Sequence, residues 1–169
     1  MHRVHLITTG GTIEKRYVEQ DGSMENTEPQ IRRCLSLLRL PETDITVEEL
    51  MNKDSLFMTD EDRHTIAERV LASATDNIPV LITHGTDTVV ETGKVIATAL
   101  SHSTHQIPVI LTGAMTPFGI EGSDALQNLT EALLATRLLP GGVYLAFHNE
   151  VFPIAHVTKD RERSRFIRT

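Results

Sequence analysis

Thr8-Thr9-Gly10-Gly11-Thr12-Ile13 follows directly on the apolar run Val4-His5-Leu6-Ile7. The run reads as a buried strand. Two adjacent glycines then break it, let the backbone turn sharply and permit close approach to a ligand. The turn leaves the Thr12 hydroxyl at the carboxyl end of the strand, where open parallel sheets bind their ligands. A second threonine-rich turn, Thr83-His84-Gly85-Thr86-Asp87-Thr88, follows another apolar strand, Val80-Leu81-Ile82. Either turn alone is an ordinary strand-to-helix connection. Two of them, each behind a buried strand, point to one shared rim.

Outward from these turns the chain alternates strand and helix. The first strand covers residues 3–9. Residues 14–27 are polar and aperiodic, and a loop of that length set directly after Thr12 reads as a lid. Ile31, Cys34, Leu35 and Leu38 recur at helical spacing, with Pro29 near the first turn and Pro41 as the stop. Ile45-Thr46-Val47 reads as a strand and Asn52-Lys53-Asp54-Ser55 as a polar turn. Thr59 is the expected N-cap of a helix whose first turn is acidic and whose inner face is Ile66, Ala67, Val70, Leu71 and Ala74. Further strands are expected over 79–83, 106–111 and 143–147, and further helices from Val89 and, capped by Ser123, from Ala125. Glu150-Val151-Phe152-Pro153 reads as a partly apolar loop suited to a subunit contact, and residues 154–157 as a short strand. Near-continuous apolar strands alternating with amphipathic helices give βαβ units and a parallel sheet covered on both faces. The expected fold is α/β: a three-layer α/β/α domain with a mainly parallel sheet, flavodoxin- or Rossmann-like, spanning 1–169 as a single domain.

The totals bound the partners. The 169 residues suit one domain with a real core, and 40% hydrophobic with 23% charged residues describe an ordinary soluble globule. Tryptophan is absent and aromatics make up 4%, so the core is aliphatic and stacking platforms for single-stranded nucleic acid are few. The net charge of −7 argues against a nucleic-acid or anionic-membrane surface. It is uneven: residues 159–169 carry five basic and two acidic side chains, leaving −10 for the rest. Cys34 is the only cysteine, which suits a reducing compartment. No run has the length of a signal h-region or a membrane span, and the expected location is cytoplasmic. His102-Ser103-Thr104-His105 follows a helix and lacks a third ligand, so no metal and no cofactor are expected.

The three strand ends offer Gly11 and Thr12, then Gly85, Thr86 and Asp87, then Gly113 and Ala114. A threonine hydroxyl is a weak nucleophile until a neighbour takes its proton. Backbone amides at glycine turns suit a developing oxyanion. The chemistry this suggests is acyl transfer with threonine where serine is more usual, since no Gly-x-Ser-x-Gly elbow, Walker lysine or Gly-x-Gly-x-x-Gly is present.

Thr9-Gly10-Gly11-Thr12-Ile13 and His84-Gly85-Thr86-Asp87-Thr88 resemble the two signature motifs of the bacterial-type L-asparaginase/glutaminase family. The resemblance implies hydrolysis of L-asparagine to L-aspartate and ammonia through an acyl-enzyme, with minor L-glutaminase activity. It implies Thr12 as nucleophile and Thr86 and Asp87 as second threonine and its aspartate, the aspartate also binding the substrate's α-amino group. His156-Val157-Thr158-Lys159 resembles the family's Val-Thr-Lys stretch, which implies Lys159 between Thr86 and Asp87. Ser55, ahead of Met58-Thr59-Asp60, matches the serine that holds the substrate carboxylate, with Asp54 beside it. Gly11, Gly85 and Ala114 match the substrate-lining strand ends, and Tyr17 the lid tyrosine. The resemblance covers only the family's first domain. Self-association as a homodimer or higher homo-oligomer is therefore expected, a symmetric neighbour supplying cover for the site. A non-catalytic domain that senses a small amino acid with the same rim is the competing reading.

Overall fold

The computed structural model describes residues 1–169. Its central sheet has six strands: β1 (His2–Gly10), β4 (Thr43–Lys53), β5 (Val80–Thr83), β6 (Pro108–Thr112), β7 (Gly142–Phe147) and β8 (Glu150–Pro153). They lie in the order β4-β1-β5-β6-β7-β8. The first five pair in parallel and β8 runs antiparallel along β7. The parallel strands thus follow the flavodoxin-like order. The winding of the chain across the sheet reverses between β1 and β5, and the crevice at such a switch point is the default ligand site.

Strand side chains alternate faces, and neighbouring residues of one strand enter two different cores. Leu6, Leu81 and Ile110 pack with Ile31 and Cys34 of α1 (Ile31–Ser36) and with Leu129 and Leu133 of α4 (Ala125–Leu138). Ile7, Ile82 and Leu111 pack on the other face with Ile66 and Val70 of α2 (Asp60–Thr75) and Ile96 of α3 (Val89–Ser101). This is the predicted three-layer α/β/α arrangement. No helix is long and apolar enough to cross a membrane.

Several sequence expectations need correction. The lid segment is not an aperiodic loop: β2 (Arg16–Val18) and β3 (Ser23–Glu25) pair as a small antiparallel hairpin. The helix expected over 29–38 is only the short α1. Asn52 and Lys53 continue β4 instead of turning, because β1 pairs with it along nearly its whole length. The residues 150–153 form an edge strand. Residues 154–156 form a 3₁₀ turn, and the basic tail folds into the hairpin β9 (Val157–Asp160) and β10 (Arg165–Arg168). Thr59 caps α2 as predicted, in a reciprocal capping box with Asp62. At α4 the N-cap is Asp124, not Ser123.

Candidate active site

Gly10 and Gly11 both have positive φ, 103° and 80°. A Cβ on Gly10 would collide with the Lys53 backbone, and one on Gly11 with the amide nitrogen of Gly85. The pair therefore wedges the end of β1 between β4 and the turn after β5, at the switch point itself. A Cβ on Gly113 would in turn strike the His84 carbonyl. Glycine at these positions lets three strand ends close into one rim.

Thr12 stands half-buried on that rim, at the start of a 3₁₀ turn over Thr12–Glu14. Thr86 is buried, one residue beyond the Gly85 against which Gly11 packs. Lys159 arrives from β9, far away in sequence. Its Nζ donates to Thr86 Oγ1 at 2.8 Å and to Asp87 Oδ1 at 2.9 Å. Arg161, just beyond β9, donates to the same Asp87 oxygen at 2.9 Å. The sequence reading missed Arg161, since an arginine in a basic tail carries no local signal.

His84 sits under the rim with no exposure. The Gly85 carbonyl, 2.8 Å from Nδ1, accepts only, so Nδ1 carries the proton and Nε2 accepts from the Thr92 hydroxyl at 2.8 Å. Burial lowers its pKa to about 4, which keeps the ring neutral. It is a structural hydrogen-bonder that fixes the Gly85 turn. Ser55 is buried with its hydroxyl facing Gly85, and its carbonyl accepts from Thr88 Oγ1 at 2.9 Å. Ala114 is fully buried against Ile13 and Ala125, so only its backbone can face a ligand. Its loop is pinned by Asp124, which accepts from the amides of Met115 and Thr116 and from His148.

Three further expected site residues have defined contacts within the chain. The Gly11 amide donates to the Lys53 carbonyl at 2.8 Å, and its carbonyl accepts from Asn26 at 3.0 Å, so its backbone polarity is spent on packing. Asp54 accepts from Lys15 at 2.8 Å and from the Leu56 amide at 3.0 Å. The Lys15 hydrogen bond holds its carboxyl below the usual carboxylate range. Asp54 thereby ties the base of the hairpin to the turn bearing Ser55. Tyr17 is 60% exposed on β2, its hydroxyl beside Gly22 at the hairpin turn.

Glu14 was also missed. It lies two residues beyond Thr12 yet is almost wholly buried, accepting from the Gln30 amide at the start of α1. Its Oε1 has no partner. Burial pushes its carboxyl up, against the Gln30 and Ile31 amides that pull it down, with Glu49 adding to the rise. Burial, then the Glu14 charge, pushes the Cys34 thiol up to about 12, so this cysteine stays protonated and inert. Because the folded chain holds the Glu14 proton more tightly than the unfolded one, this group costs stability at pH above its folded value. The cost disappears below the unfolded value, near about pH 4. Glu14→Gln keeps an acceptor for Gln30 and is expected to raise the melting temperature at pH 8, the gain fading as pH falls toward about 4. Thermal unfolding across that range reads it; an equal gain at both ends would refute the burial cost.

The chain matches the family description "Asparaginase, N-terminal" over residues 3–165. It is 30% identical over 154 residues to the L-asparaginase of Thermococcus kodakarensis, covering 91% of this chain and 46% of that protein. It is 33% identical over 170 residues to a glutamyl-tRNA(Gln) amidotransferase polypeptide of Aeropyrum pernix, covering 91% and 37%. The solved structure of the thermostable Thermococcus kodakarensis L-asparaginase superimposes with a TM-score of 0.86 at 29% identity, over 98% of this chain and 51% of that one. The chain spans about half the length of the relatives it matches, or less.

Proposed function

The chain belongs to the asparaginase family, in the part described by its N-terminal domain, and on that premise we propose that residues 1–169 form one catalytic domain of an L-asparagine amidohydrolase. The observation that carries this reading is the contact of Lys159 with both Thr86 and Asp87 beside the Gly11–Gly85 turn. In the proposed reaction Thr12 Oγ attacks the side-chain amide carbon of L-asparagine. Its proton leaves through the Thr86 hydroxyl to Lys159, which acts in this step in its uncharged form and is held in register by Asp87. The same groups return that proton to the amide nitrogen, which leaves as ammonia when the C–N bond breaks, and water then hydrolyses the Thr12 ester to release L-aspartate and restore the Thr12 hydroxyl. Ser55, buried at the rim, is suited to the substrate carboxylate, and Asp87 to its ammonium. Tyr17 reaches the site in this reading only if the hairpin closes.

The match to the Aeropyrum amidotransferase favours a second reading, in which the released ammonia comes from a glutamine-type substrate and serves an amidotransferase. One experiment separates the possibilities: ammonia release by the purified chain from L-asparagine and from L-glutamine, beside calorimetric binding of both. Turnover of L-asparagine well above L-glutamine is the expected result. Binding without turnover would replace the hydrolase with an amino-acid sensor, and glutamine preference would favour the amidotransferase reading.

A further inference from the structure

Asp87 Oδ1 is a shared oxygen. Lys159 Nζ and Arg161 Nη1 both donate to it, each at 2.9 Å. The Lys159 side chain is mostly buried, whereas that of Arg161 is 66% exposed. Asp87, Lys159 and Arg161 line a cleft of about 330 Å³ together with Glu91 and Lys94. Two carboxylates therefore face three cations along it. An ammonium drawn toward Asp87 meets a guanidinium already hydrogen-bonded to that carboxylate, and like charges at contact repel. A neutral carbon at the same point meets no such opposition. A carboxylate nearby gains a fork of free donors, since Arg161 gives only one of its five N–H groups to Asp87.

We propose that Arg161 is a specificity-determining residue that competes with a substrate's ammonium for Asp87 and biases the site toward small carboxylate-bearing amides without a free α-amino group. The inference rests on the amidohydrolase reading, with L-asparagine remaining a substrate handicapped in KM. It names the substrate class by chemistry: monoamides of short dicarboxylic acids. The ion pair is partly exposed, so its influence is modest and sensitive to salt.

The test compares the parent chain with Arg161→Gln and Arg161→Lys. Ammonia release is measured from L-asparagine and from succinamate, which lacks only the α-amino group. Arg161→Gln is expected to raise the asparagine-to-succinamate ratio of kcat/KM by about fivefold, mainly through KM, the scale of a partly exposed ion pair. Arg161→Lys keeps a cation and is expected to hold the parent ratio. An unchanged ratio in Arg161→Gln, or the same change for both substrates, overturns the proposal. Calorimetric titration with L-aspartate and succinate runs in parallel. If neither amide is hydrolysed, the amidohydrolase reading fails, and the titration still decides: succinate losing its advantage over aspartate in Arg161→Gln supports the competition, and equal behaviour refutes it. Arg161 lies outside both cores, so folding is not at stake in either variant.

Discussion

Thr12→Ala is expected to lower ammonia release from L-asparagine by about 10³-fold or more, with the thermal unfolding curve close to that of the parent. Two features separate the chemical loss from a structural one. Thr12 belongs to neither apolar core, and the 3₁₀ turn it opens is held by backbone bonds from Glu14 and Lys15 to the Gly11 and Thr12 carbonyls, at 3.1 Å each. Alanine keeps those bonds and deletes only the hydroxyl and a methyl. Substrate binding, read by calorimetry, is expected to survive, because the groups suited to hold L-asparagine, Ser55 and Asp87, are untouched. Thr12→Ser restores a hydroxyl and is expected to recover part of the rate. Turnover of Thr12→Ala within tenfold of the parent would remove the nucleophile assignment while leaving an enzyme.

What the sequence revealed and what it hid follow from burial. Val80-Leu81-Ile82 and Val109-Ile110-Leu111 feed apolar side chains to both faces of a covered sheet, so their near-continuous runs identify them as central strands. The two threonine turns are legible because glycine is required where backbones touch, at Gly11 against Gly85. The β2–β3 hairpin is hidden because neither of its strands enters a core, so no alternation is imposed. The β8 strand is short, ends in proline and lies at the sheet edge, where a missing N–H is tolerated. Arg161 and Lys15 are ordinary surface cations until the fold brings Asp87 and Asp54 to them. Glu14 reads in sequence as a solvated lid residue. Only the arrival of the α1 N-terminus over it makes a buried carboxylate tolerable there, through its amides and the positive end of the helix.

Lys159→Met tests whether the bridge from β9 to the rim is chemical or merely structural. Methionine preserves the apolar stem and removes the ammonium that donates to Thr86 and Asp87. Proton transfer by a positioned group contributes about 10²–10⁴-fold, so kcat is expected to fall in that range with KM changed far less. Asp87 keeps its hydrogen bond to Arg161 in the variant, so no carboxylate is left unpaired to unfold the rim. A melting temperature within a few degrees of the parent is therefore expected. Lys159→Arg retains charge but not function in this argument: a planar guanidinium cannot take the place of a compact amine between Thr86 and Asp87, and it does not give up its proton. Both substitutions are thus expected to be similarly slow, although only one of them removes a cation. A fast Lys159→Arg would mean that the site needs positive charge and no proton carrier. A fast Lys159→Met would mean that the contact with Thr86 only braces the β9–β10 hairpin against the sheet, and that the proton of Thr12 leaves by another route.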